Sequence, residues 1–330
     1  MKRIIAPLAA VLLVVFMFFA ASATFGEEII FPEIATLIIA AWLIENSPLA
    51  DKPLYLWLSP TLAAITGVGI LHFLPYNPEI LITFTFILVG LQLYLLRSNV
   101  LPSISAGILP IFLNFDSLYY PLSVFIFSGC IVAGRDLLTR FHFSGYSPIR
   151  LTSNLNIEER KPWETMKTSH WLMLFIGVIF VLIIAFKSKF IYIISPPLIV
   201  TFIEFSNPCG QVCQKPLRLL LLLLLASISG ILWVEVTHFL LNWPLWVTAA
   251  CIVIWIFFLF RRMQFVFPPA AAISLLPTII PREMLLLYPL QVAIGVVIFI
   301  VIGKIIIAIN LKSTDIGSGM TGGLNRRSMK

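Results

Sequence analysis

The chain has 330 residues, 60% of them hydrophobic and only 11% charged, with a net charge of +7. Soluble domains carry about 25% charged residues, and a soluble core could not bury so many apolar runs. Composition therefore excludes a soluble globular protein, and the scattered Lys and Arg groups exclude a nucleic-acid surface. What remains is an integral membrane protein.

Residues 1–23 begin with Lys2 and Arg3, run apolar, and end in Ala21-Ser22-Ala23. That ending suits a cleaved signal, but the apolar stretch is longer than the usual 7–15 residues of a signal core. A retained N-terminal helix is the favoured reading. Apolar runs follow at 29–45, 54–74, 78–96, 100–114 and 117–134. After a polar stretch at 135–168 come 169–186, 190–206, 216–241, 244–260, 264–280 and 285–310. A spanning helix needs about 20 apolar residues. Four runs are short and led by proline, at Pro32, Pro102, Pro196 and Pro268. Short, proline-interrupted segments at matching places in two halves point to a transporter's binding site.

If every run crosses, one side collects Lys52, Arg97, Arg135, Arg140, Arg150, Arg160, Lys161, Lys167, Lys215, Arg218, Arg261 and Arg262. The other keeps Lys187, Lys189 and Arg282, with Glu27, Glu28, Glu79 and Asp116. The positive-inside rule then gives about 12 crossings of the inner or plasma membrane, with both termini cytoplasmic. The expected fold is an all-α polytopic membrane protein of about 10–12 transmembrane or half-membrane helices in two repeated halves. Its units are an N-terminal helix (1–23), a first membrane unit (24–137), a cytoplasmic linker (138–168), a second membrane unit (169–311) and a flexible basic tail (312–330). The partners expected are the lipid bilayer and a small-molecule or ion substrate. A homo-oligomer is compatible with this composition.

The repeat rests on punctuation. Ile30-Phe31-Pro32-Glu33 is echoed by Ile194-Ser195-Pro196-Pro197, and Lys52-Pro53 by Lys215-Pro216. Thr66-Gly67 is echoed by Ser229-Gly230. Leu101-Pro102-Ser103-Ile104-Ser105-Ala106, closing at Leu109-Pro110, aligns with Pro268-Pro269-Ala270-Ala271-Ala272, closing at Leu276-Pro277. Shared polar and proline landmarks in one order mark a tandem repeat.

Asn46-Ser47-Pro48-Leu49-Ala50-Asp51-Lys52-Pro53 resembles the S-P-L-A-x-P turn of the HPP family of integral membrane proteins. The run Phe267-Pro268-Pro269-Ala270-Ala271-Ala272 resembles that family's His-Pro-Pro-Ala motif, and 197–230 is similar to its first segment and following helix. The resemblance covers about 24–115 and 188–281, so the chain looks like two such units. Phe267 stands where the family has histidine, and 209–214 replaces the S-P-L-A-x turn in the second half. Some plant and cyanobacterial members are linked to nitrite movement, so the resemblance implies a small-anion transporter.

A helix start presents free N–H groups and a partial positive charge of about half a unit. Two starts meeting inside the membrane would hold a small anion without a buried Lys or Arg. The binding residues this predicts are Pro32 and Thr36; Pro102, Ser103 and Ser105; Ser195, Pro196, Pro197 and Thr201; and Pro268, Pro269, Ala270 and Ser274. The plainer reading, that prolines and small residues only kink and pack helices, is the commoner case in membranes. Glu45 and Glu204 recur near the cytoplasmic end as coupling candidates, though pairing with Lys52 or Lys215 in the headgroup region suits them better. Glu33 is placed at the outer edge, where it would repel an anion. No catalytic motif, metal site or cofactor site is expected. The C-x3-C pair Cys209/Cys213 has no second Cys/His pair near it. The alternative to transport is a membrane scaffold, or an enzyme on lipid-linked substrates using an outer-face group of His72, Glu235 and His238. Interfacial polar residues are the simpler account of those three.

Overall fold

The computed structural model describes residues 2–44, 47, 52–141, 168–208, 210 and 212–324. Among these residues the regular structure is helical, with no strand. Eight helices are long and apolar enough to cross a membrane. In the first half these are α1 (Lys2–Ala20), α3 (Pro53–Phe73), α4 (Pro78–Leu96) and α6 (Tyr119–Arg140). In the second they are α7 (Thr168–Ser188), α9 (Pro216–Trp233), α10 (Leu245–Met263) and α13 (Tyr288–Leu324). Between them lie the short helices α2 (Glu33–Ile38), α5 (Pro102–Leu113), α8 (Pro196–Phe205) and α11 (Pro269–Leu275). A wide turn, Ile39–Leu43, prolongs α2, and a tight turn, Leu276–Thr278, prolongs α11. One further turn, α12 (Arg282–Leu285), leads into α13.

Proline sets where most of these helices begin. Helices α3, α4, α5, α8, α9 and α11 each carry it in the first turn, where its fixed φ fits and its missing N–H costs nothing. Helices α4 and α10 both end on a left-handed residue that is not glycine, Arg97 (φ 47°) and Gln264 (φ 50°). The long helices turn apolar side chains outward, such as Ile80, Phe84, Ile87 and Leu91 on α4 and Leu172, Ile176, Phe180 and Ile183 on α7. Faces of this kind suit lipid, where helices keep every backbone bond internal.

Paired levels give each segment's direction. Near the start of α3, Ser59 donates to Ser98 at 2.8 Å, and near its end His72 meets Asp116 at 3.0 Å. The stretch 98–116, with α5 inside it, therefore runs alongside α3. Ile29 accepts a bond from Ser123, and Trp42 donates to Ile131, so α2 runs with α6. Likewise Tyr192 meets Gln291 and Phe202 stacks on Phe299, so α8 runs with α13. Gly230 touches Ser274, and Glu235 faces Arg282, so α11 runs with α9. Each short segment thus carries the chain from one side of the bundle to the other, as the eight long ones do. Lys52, Arg97, Arg135, Lys215 and Arg262 share the side on which α1 begins.

The halves correspond contact by contact. Tyr120 of α6 donates to the Ala106 carbonyl of α5 at 2.9 Å, and Tyr288 of α13 donates to the Ile273 carbonyl of α11 at 2.8 Å. Gly67 lies against the Gly107 carbonyl as Gly230 lies against that of Ser274. The rim pair His72–Asp116 recurs as Glu235–Arg282 with its acidic and basic members exchanged. Helix α1 packs on α10 of the other half, and α7 packs on α4. The halves are therefore interleaved rather than side by side.

Two expectations change. Helix α13 continues to Leu324, so the stretch expected to be a flexible tail is helical to that point. A helix already nucleated by a long apolar segment propagates at one bond per residue. Helix α6 likewise runs through Arg140, into the expected polar linker; residues 142–167 lie outside the described residues.

Candidate functional site

Helices α2, α5, α8 and α11 touch in a closed ring: α2 on α5, α5 on α8, α8 on α11, and α11 on α2. All of α2 and α11 is buried, as are α5 from Pro102 to Ile111 and α8 except Glu204. The backbone comes close because the sequence permits it. A Cβ built on Gly67 would stand 1.9 Å from the Gly107 oxygen, and one on Gly230 would stand 2.3 Å from that of Ser274. Any side chain there would force α3 off α5, or α9 off α11.

The ring sits at mid-depth. Gly107 packs against the Ala63 carbonyl and Gly67, which are central in the 21-residue α3. Ser105, half a turn earlier, lies close to the same level. Its hydroxyl donates to one carboxylate oxygen of Glu33, the first residue of α2. Glu33 is only 1% exposed. It is therefore not at the outer edge, as the sequence suggests. The chain enters through the tight turn Glu27–Ile29, which carries Glu33 inward before α2 begins. Its second oxygen has no hydrogen-bond partner, nor do the buried hydroxyls of Ser103 and Ser195. Buried polar groups are nearly always paired, so unpaired ones at the starts of three of the ring's helices call for a functional explanation.

The remaining candidates divide. Thr36 donates to the Pro268 carbonyl at 3.2 Å, joining the α2 start to the α11 start. Thr201 and Ser274 instead bond carbonyls of their own helices, those of Pro197 and Ala271. Their hydroxyl protons are taken up there. Pro32, Pro102, Pro196, Pro197 and Pro269 build the buried helix starts, and Ala270 packs among them with no exposed surface.

The first-turn amides are not bare either. In α5, Ser103 and Ile104 donate to Val100 and Leu101, and in α8, Leu198 donates to Ser195. Tight turns of this kind satisfy the amides that a helix start otherwise leaves free. The groups left for a ligand are consequently side chains. Glu204 is half-buried near the far end of α8 from Ser195, and Glu45 lies outside the described residues.

Sequence reasoning gave Glu33 no site role, although it is the one acid in an otherwise apolar run from Ile29 to Ile44. That isolation was the available signal. The outer-face group does not assemble. His72 pairs with Asp116, Glu235 with Arg282 at 3.5 Å, and His238 with the Trp243 carbonyl. Among the described residues no three His, Cys, Asp or Glu side chains gather as for a metal. Phe267 is buried and stacks on Phe265. The chain matches no protein-family model, no curated protein and no solved structure.

Proposed function

We propose that this protein is a permease that carries a small solute, a small anion such as nitrite, through the ring of short helices. The observation that carries this reading is the buried carboxyl of Glu33 at mid-depth with an unpaired oxygen, on a ring of short helices that also holds the buried, unpaired hydroxyls of Ser103 and Ser195, inside a bundle whose outer faces are apolar. Irregular backbone and polar groups at such depth are tolerated where they line a path or are buried in protein. Helices α5 and α8 add the partial positive charge of their first turns, and the free hydroxyls of Ser103 and Ser195 add donors. The likeness to the HPP family favours an anion. Helix interruption at matching places in two halves is the usual design of secondary transporters.

The test is uptake into vesicles containing purified protein, with nitrite, chloride and formate compared. Flux of at least one anion above protein-free vesicles supports the reading. No flux of any, from protein whose helical content is intact, contradicts it.

A further inference from the structure

The repeat isolates one pair of residues. By the register that aligns Tyr120–Ala106 with Tyr288–Ile273, Ser105 corresponds to Ala272. In the alignment of the helix starts, Glu33 corresponds to Pro197. The bonded pair Glu33–Ser105 is thus replaced, both members together, by the apolar pair Pro197–Ala272. The second half builds the same short helices without a carboxyl, so the fold does not need one. A carboxyl at mid-depth is costly to keep, and ionisable groups at such positions mark ion or proton pathways.

The surroundings fit a proton rather than a fixed ion pair. Helices α5 and α11 contain no ionisable residue, and α1 contains none between Ile5 and Ala20. Helix α6 brings Tyr120 toward the carboxyl, and Tyr288 of α13 lies within electrostatic reach from the other half. Both phenols already donate to carbonyls. Arg135, Asp136 and Arg140 stand in the last turns of α6. Among the described residues no Lys, Arg or His pairs with Glu33. One oxygen is held by Ser105 and the other is open, so a proton can join or leave without breaking the contact between α2 and α5.

We infer that Glu33 is an exchangeable-proton site, which takes up and releases a proton while the protein stays folded and thereby links solute passage to proton movement. The linkage rests on the permease reading; the proton site does not. No bond other than O–H forms or breaks, and the proton comes from, and returns to, water on the two sides. With a neutral carboxyl the ring no longer repels an anion, so anion and proton move together.

Infrared spectra of the reconstituted protein test the site directly. Between mildly acidic and mildly alkaline conditions, a protonated-carboxyl stretch should appear and vanish. It should shift in heavy water, be absent in Glu33→Gln, and move in frequency in Ser105→Ala, which keeps the acid. A band that neither responds to pH nor exchanges in heavy water overturns the proposal, as does a wild-type spectrum identical to that of Glu33→Gln. In vesicles carrying an internal pH dye, nitrite entry should acidify the lumen with wild type but not with Glu33→Gln. Nitrite entry that leaves luminal pH unchanged with wild type overturns the linkage. Absence of entry of nitrite, chloride and formate alike overturns the permease reading and leaves the infrared result to decide the site.

Discussion

The hydroxyl of Ser105 and the carboxyl of Glu33 meet between two short helices that run in opposite directions, α5 with α3 and α2 with α6. Removing one partner strands the other in a buried place, whereas removing both with apolar groups of similar shape does not. Ser105→Ala alone should cost about 1–3 kcal/mol. The double variant Glu33→Met/Ser105→Ala should recover much of that loss, because it reproduces the apolar character of Pro197 and Ala272. Thermal unfolding in detergent of both singles and the double measures the coupling between the two sites.

Glycine substitutions on α3 and α9 should separate by position, not by type. Gly67→Ala places a methyl into the Gly107 carbonyl, and Gly230→Ala places one into that of Ser274. Both should lower the unfolding temperature sharply and reduce the yield of folded protein. Gly69→Ala meets nothing within 4 Å and should be neutral, or stabilising by about 0.5–1 kcal/mol from helix propensity. The comparison is thermal stability of the three variants. A Gly67→Ala protein as stable as Gly69→Ala would contradict the close approach of α3 and α5.

The rim pairs make a prediction about the fold itself. With the native cysteines replaced, His72→Cys/Asp116→Cys and Glu235→Cys/Arg282→Cys should each be bridged by a short bifunctional methanethiosulfonate. His72→Cys/His238→Cys should not, because those two histidines engage different partners in different halves. Gel mobility before and after reduction reads the result. Neutralising either pair by Asp116→Asn or Glu235→Gln should change stability by less than about 1 kcal/mol, since both are exposed and such pairs contribute little.

Much of the architecture is readable from the residues because proline states where helices begin. Pro102, Pro196 and Pro269 each fix a first turn, and the apolar lengths around them separate short segments from long ones. The repeat is readable because Lys52-Pro53 and Gly67 recur with the same spacing as Lys215-Pro216 and Gly230, and Pro110 follows in the same order as Pro277. Side-chain depth is harder. Glu33 sits beside Pro32 at the head of a run and looks peripheral, yet the tight turn before it carries it inward. The use of first-turn amides is also invisible in a sequence. Whether Ser103 N–H is free or bonded to Val100 depends on the turn that precedes α5, and that turn is tight. Hydroxyls divide for the same reason. Thr201 and Ser274 have carbonyls of their own helices within reach, while Ser103 and Ser195 do not use theirs.

The central claim is that water reaches the buried starts of α5 and α8. Ser103→Cys and Ser195→Cys, made in protein with Cys130, Cys209, Cys213 and Cys251 replaced by alanine, can be exposed to a small charged thiol reagent in intact vesicles. The account predicts modification of both positions, slowed by nitrite, with Asn242→Cys at the exposed rim reacting at once as the reference. If Asn242→Cys reacts while Ser103→Cys and Ser195→Cys remain unmodified in the folded protein, the ring is dry packing and the account is wrong.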